Sequence, residues 1–358
     1  MNGRHGLVES DGRISRRTAL ARLGQAGLLL AASGLTGCSL PFGPGKPGAA
    51  DTSNVPAGHQ LYIYRAHTES VNVVMWSKDA QQIASASDDK TAAVWTALTG
   101  QTIHQITAHT DKVWDLAFSP DGTKLATASR DMTVIIWDVA TWSPVQTLKG
   151  HEKGVGSVAW SPDGTKIATG SVDRTAQIWD PVTGKSLLTY GLHLSWVDSV
   201  AWSPDGKHIA SCGADYTAHV WDATTAEQLV TYRNHSQEVY TARWSPDGQR
   251  VLTASQDGTA QLWDPGTGKT LYTYTGHQGG VYCAIWSHDG RHIASGAEDL
   301  TVRVWSPADG SPQGNYTGHQ RGGDQAHPAG AVHTVAWTPD DTRLASASSD
   351  TTVHVWQR

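Results

Sequence analysis

The chain has 358 residues, 39% hydrophobic and only 17% charged, with 16 Trp and 37 Gly against 2 Phe and 3 Met. So much apolar material rules out disorder of the whole chain, and the Trp excess points to something repeated. Net charge is −6, and the five Arg and two acids of residues 1–37 carry a local +3, leaving about −9 for the rest. An acidic body without a Lys/Arg cluster argues against nucleic acid as a partner, since phosphate binding draws its affinity from clustered cations. Three Cys, at 38, 212 and 283, exclude a disulfide framework.

In chain order, Ser15-Arg16-Arg17-Thr18-Ala19-Leu20 precedes an apolar run from Leu23 to Leu35 that stops at Leu35-Thr36-Gly37-Cys38. A charged start, a short apolar stretch and small residues before a cut site predict a secretory signal over residues 1–37. The run is short of the about 20 apolar residues that a membrane span needs. The paired arginines resemble the bacterial twin-arginine signal, and Leu-Thr-Gly-Cys resembles a lipobox. That resemblance implies lipidation of Cys38 and anchoring outside the cytoplasm. Ala19 and Ala21 stand where the twin-arginine pattern has Phe and Lys, so the export route stays open. Residues 38–57, with Pro41, Pro44, Pro47 and Pro56, read as a tether.

A period then sets in. His67, His109, His151, His193, His235, His277 and His319 recur every 42 residues. Trp95, Trp137, Trp179, Trp221, Trp263 and Trp305 keep the interval, while Trp356 arrives nine late. The delay lies in a loop enlarged at Gln320–Ala331, because Val332 follows its His by thirteen positions where the other six Val follow by four. In the third unit, Val155 to Ser161, Lys166 to Ser171, Thr175 to Trp179 and Ser186 to Tyr190 read as strands separated by Pro/Gly turns. Four short strands per unit, and no sustained helical spacing after residue 40, make the domain all-β. A period of 40 to 45 residues ending on Trp-Asp is the mark of a propeller blade.

With Gly-His, Ser-Pro-Asp-Gly, Ser-x-Asp-x-Thr and Trp-Asp repeated through residues 58–358, the sequence resembles the WD-repeat β-propeller family. The fold expected is therefore a seven-bladed WD-repeat β-propeller of four antiparallel strands per blade. Gln60 to Arg65 looks like the fourth strand that precedes His277, whereas the last unit has only three strands. Residues 60–65 should therefore complete the last blade and close the ring, which removes exposed strand edges.

Each His is followed by Asp89, Asp131, Asp173, Asp215, Asp257, Asp299 or Asp350, and four residues before that Asp stands a hydroxyl: Ser85, Thr127, Thr169, Ser211, Thr253, Ser295, Ser346. In the family these types form a chain from indole through hydroxyl and imidazole to carboxylate. Ser, His and Asp together also make a nucleophilic triad, but seven equivalent copies, each ending on a Trp donor, describe a structural network. One His/Asp pair per blade spreads ligands around a ring, so no metal is expected; no cofactor is expected either.

Function is expected on the face that, by the resemblance, carries the His loops and Asp turns. There Trp114, Arg130, Trp196, Asp198, Tyr240, Tyr282 and His333 differ from blade to blade in the aromatic and Arg composition of a recognition site. Trp142 reads as a packed surface ring. If the site's aromatics are free of packing duty, truncating Trp114 and Tyr240 should leave stability nearly unchanged. The reading favoured is a non-catalytic, lipid-anchored, monomeric scaffold binding a protein or peptide. Alternatives are a propeller enzyme or glycan-like ligand binder using the central channel, and a cytoplasmic regulator if the N-terminal signal is spurious.

Overall fold

The computed structural model describes residues 58–320 and 331–358. The expected signal, Cys38, the tether and most of the enlarged loop lie outside the described residues. Every regular element described is a β-strand, arranged in seven four-stranded antiparallel sheets. In six of them four consecutive strands pair in order; the seventh runs Gln60–Tyr64, Val353–Gln357, Arg343–Ser348, Val332–Trp337. The expected closure is therefore present, with Tyr64 opposite Val353 and Ile63 opposite His354.

Local chemistry sets the strand ends. In the third blade the strands are Val155–Trp160, Ile167–Ser171, Ala176–Trp179 and Ser186–Tyr190. Lys166 and Thr175, expected to open the second and third strands, lie just before them; the turn is held by the Lys166 N–H, which donates to Ser161 Oγ (2.9 Å), and by that hydroxyl, which donates to Asp163 Oδ1 (2.6 Å). Gly164 completes the turn at φ 71°, where a Cβ would be strained. The turn before each fourth strand needs the same left-handed backbone. Gly100, Gly184, Gly268 and Gly310 supply it, but the second and fourth blades use Trp142 (φ 55°) and Ala226 (φ 59°). Trp142 stacks on His104 of the first blade, with centroids 5.4 Å apart and 10° between planes. Ala226 has no stacking ring but packs half-buried against the core of the third and fourth blades, so Ala226→Gly relieves about 1–2 kcal/mol of left-handed strain against about 0.4–1 kcal/mol of glycine entropy and a loss of up to ~0.8 kcal/mol for the methyl. These nearly cancel, so the thermal midpoint should stay within a degree or two; a larger fall would show that the methyl's packing outweighs the strain.

The core lies between blades. Ala168, Ile178 and Tyr190 of the third blade pack with Val200, Ile209 and Trp221 of the fourth, and Tyr64 and Val353 of the seventh pack with Val71 and Trp95 of the first. Two bonds recur across the inner seams. A side-chain oxygen on one first strand accepts a backbone N–H of the next: Val158 N to Asp115 Oδ2 (2.9 Å), Val200 N to Ser157 Oγ (3.3 Å), Ala284 N to Thr241 Oγ1 (3.3 Å), Val74 N to Thr334 Oγ1 (3.0 Å). The first-strand indole then donates to the preceding blade, as Trp76 does to the Ala336 carbonyl (3.2 Å) and Trp160 to that of Ala117 (3.1 Å). The seam where the chain ends meet thus carries both bonds. The seam between first and second blades has Val73 and Phe118 at those places and is bridged instead by Asn72 Nδ2 to the Val113 carbonyl (3.0 Å) and by the Lys112–Asp88 ion pair (2.6 Å).

Candidate functional site

The repeated polar residues are hydrogen-bonded from hydroxyl through imidazole to carboxylate in all seven blades, and the indole joins the chain in five. In all seven blades the His Nδ1 lies 2.7–3.0 Å from the Asp carboxylate, and His Nε2 lies 2.7–2.8 Å from the hydroxyl four residues before that Asp. Trp137, Trp179, Trp221, Trp305 and Trp356 donate to that hydroxyl at 2.8–3.2 Å. Trp95 and Trp263 make no such bond; they stack flat on Tyr64 and Tyr232, at 3.9 and 4.6 Å, as Trp221 and Trp305, which do make it, stack on Tyr190 and Tyr274. The residue after each His donates its N–H to the same carboxylate, as Thr68 does to Asp89 (3.1 Å), and the hydroxyl two residues past the Asp also donates to it, as Thr91 does (2.6 Å). Burial alone would raise these acids, but the His partner and the two donors outweigh it. Asp89 and Asp257 are held down at about 2, and the other five are lowered too.

This is the bonding order of a catalytic triad. A nucleophile, however, must reach a substrate carbon, and all seven hydroxyl residues are fully buried. The geometry serves to satisfy buried polar groups and tie the incoming loop to three strands, each bond contributing ~0.5–1.5 kcal/mol.

Two further histidines join the network. His219 stacks on His193 (4.1 Å, 10°) and His354 on His319 (3.9 Å, 30°). Each forms with its neighbouring His and Asp a trio whose donor atoms lie within 4.8 Å of one another, a spacing that could hold a metal. The His219 nitrogens already face Tyr190 Oη (2.7 Å) and Thr217 Oγ1 (3.0 Å), which makes that trio a closed hydrogen-bond set. Burial first, then the neighbouring imidazole, depresses both His219 and His354 well below the usual histidine value of 6.5.

The variable residues of the His/Asp face fall into two groups. Trp114, Asp198 and Tyr240 line the central cavity and are buried. Tyr240 stacks on Tyr282 (4.9 Å, 22°), and His333 meets the Tyr282 edge at 5.2 Å. Tyr240 Oη donates to Gln256, while Gln256 Nε2 and Tyr282 Oη both donate to Glu298 Oε1 at 3.1 Å. Blades five to seven therefore share a packed aromatic and amide cluster at the cavity mouth. The expectation that these rings carry no packing duty is not met, because neighbouring blades bring them into contact. Trp114→Ala and Tyr240→Ala are each expected to cost about 3 kcal/mol or more. Arg130 is different: its side chain is 54% exposed, with Nε 3.7 Å from Asp111. Trp196 is half-buried.

The family model called WD domain, G-beta repeat, matches residues 58–96, 268–306 and 310–357, which hold the closing strand with the first three strands of the first blade, the last strand of the fifth blade with the first three of the sixth, and the last strand of the sixth with the three C-terminal strands of the seventh. The model called IFT122 first beta-propeller matches residues 112–267 between them. The chain carries WD40 repeats. No curated protein matches it. WD40 propellers are commonly protein-interaction scaffolds, so the accessible residues of this ring's His/Asp face matter most.

One group there escapes a reading centred on strand positions. Leu192 and Leu194 flank His193 and are 55% and 80% exposed. In the other WD40 blades the same places hold Ala66/Thr68, Ala108/Thr110, Gly150/Glu152, Asn234/Ser236, Gly276/Gln278 and Gly318/Gln320. Comparison of residues beside the His across the repeat carries the signal. Leu194 N donates to Asp215 Oδ2 (2.9 Å) and Ala214 N to the Trp196 carbonyl (3.0 Å), so loop and turn hold Leu192, Leu194, Trp196 and Tyr216 on one blade end.

Proposed function

We propose that this WD40 propeller is a non-catalytic interaction scaffold, held outside the cytoplasm by lipid on Cys38, that binds a protein or peptide on its His/Asp face. The fourth-blade group carries the reading: exposed leucines, at places the other blades fill with small or polar residues, stand beside a half-buried Trp and Tyr and have the composition of a recognition patch. The buried ring hydroxyls, with no path to a substrate, support the non-catalytic half.

The patch is tested by giving it the chain's own alternative residues. In Leu192→Gly/Leu194→Thr the thermal midpoint should stay within about 3 °C, while a photo-crosslinker at position 195 should lose at least about ten-fold of the adduct it forms in intact cells. A crosslinker at Val182, 82% exposed in a turn between third and fourth strands, is the control. Equal adducts from both positions, or no loss in the variant, would remove the assignment. Anchoring is tested separately: Cys38→Ala should move the protein from the membrane to the soluble fraction, and continued membrane retention would overturn lipidation.

A further inference from the structure

The central cavity, about 820 Å³, runs from Asn72, Trp114 and Tyr240 to the turn residues Ser77, Pro120 and Pro162, and is within the size range of small-ligand sites. Its wall is built in tiers by the seven first strands. The belt position, which makes the seam bonds, is mostly polar. Two residues further on, six blades present Met75, Ala117, Ala159, Ala201, Ile285 and Ala336, and the fifth presents Arg243. A guanidinium thus stands in a tier that is otherwise apolar, in a cavity that the indoles of Trp76, Trp202 and Trp286 and the carboxylates of Asp115 and Asp198 also line.

Arg243 is only partly engaged. Its Nη1 donates to Ser199 Oγ (2.7 Å) and to the Ala242 carbonyl (2.9 Å). No carboxylate among the described residues pairs with it, and its Nε and Nη2 have no hydrogen-bond partner among them. Asp115, on the belt, instead takes the backbone N–H of Leu116 and of Val158, both at 2.9 Å. Tethering one nitrogen fixes the plane of the guanidinium, so the remaining donors form a pre-oriented fork, the geometry that matches a two-oxygen anion. A half-buried charge lacking a partner is costly, and an incoming anion would offset that cost.

From this arrangement we infer that the central cavity is a binding site for a small organic anion, a carboxylate or sulfonate on an apolar body, with Arg243 holding the charged group and the apolar tier and indoles holding the body. The site is separate from the fourth-blade patch and does not depend on it.

The probes are 1-naphthoate and its uncharged counterpart 1-naphthalenemethanol, titrated into the full-length chain without detergent and followed by calorimetry and tryptophan fluorescence. Naphthoate should bind at least about ten-fold tighter than the alcohol, as one charge-assisted contact provides. Arg243→Gln should bring naphthoate down to the alcohol's affinity and leave the alcohol unchanged; a role confined to supporting Ser199 would not produce that split. Arg243→Lys should retain part of the preference, and added salt should weaken naphthoate alone. Ala159→Leu, which narrows the same tier from the third blade, should weaken both probes. The inference is overturned if neither probe binds, if naphthoate has no advantage, if Arg243→Gln changes naphthoate binding less than two-fold, or if Ala159→Leu affects neither probe. Should Arg243→Gln not fold, the salt dependence and Arg243→Lys decide.

Discussion

A chain lacking residues 58–65 is expected to lose more than 10 °C of thermal midpoint, or its cooperative transition altogether, and to aggregate on standing. The segment pairs with Val353–Gln357 through most of its length, and Gly58 N donates to the Gln357 carbonyl (2.8 Å). It also crosses to the first blade: Tyr64 stacks on Trp95 at 3.9 Å with its hydroxyl 3.0 Å from Thr102, and Tyr62 Oη donates to the Ala97 carbonyl (2.7 Å). Loss of one buried aromatic costs about 3–5 kcal/mol, and each ladder bond adds ~0.5–1.5 kcal/mol. Together these approach the 5–15 kcal/mol that holds a whole domain folded. The last strand would be left with an open edge, which recruits other chains. Differential scanning calorimetry and light scattering check this, and a peptide spanning residues 58–66 should restore part of the midpoint. A truncated chain that stays monomeric with an unchanged midpoint would mean that the first-strand seam bonds suffice to close the ring.

How far the sequence could be read depends on which neighbours a residue meets. Strand order, turn chemistry and the His–Asp spacing are local to one unit and repeat seven times, so the blade was legible from one copy. Closure was legible because Gln60–Tyr64 has the same pattern as Thr270–Tyr274. The cavity mouth was not, since Tyr240, Tyr282 and His333 come from three blades and their contact depends on how the ring closes. Within the network the hydroxyl was identifiable because it never fails, whereas His219 and His354 occupy a third-strand place that elsewhere holds Ala93, Ile135, Gln177, Gln261 or Arg303. Variation hides a role that invariance reveals. Gln177 and Gln261 nevertheless reach the network His at 3.4 Å, so the place is part of the network in more than two blades.

Acid should unfold the ring steeply, and two classes of group act in the same direction. The seven network carboxylates are held below their ordinary value of 3.8, so the stability they contribute is complete above that value and is lost as pH falls through their folded-state range. For Asp89 and Asp257, held at about 2 with side chains only 8% exposed, that is about 2 kcal/mol each. Seven such groups amount to on the order of 10 kcal/mol even with incomplete additivity, a range that spans most of a domain's stability. His219 and His354 begin the decline earlier. The unfolded chain protonates them near 6.5, whereas the folded chain keeps them neutral because burial and the adjacent His193 or His319 oppose a charge. Their contribution is therefore present above about 6.5 and lost below it, at about 1.4 kcal/mol per unit of depression. Thermal midpoints measured from pH 7.5 to pH 3 should fall in two stages, a gradual one below about 6.5 and a steep one below about 4. In His219→Gln/His354→Gln, which gives both blades the side chain used by the third and fifth, the first stage should flatten and the second remain. A midpoint that stays level down to pH 3 would show that the carboxylates are not held by their imidazoles; an unaltered first stage in the double variant would assign it to other histidines.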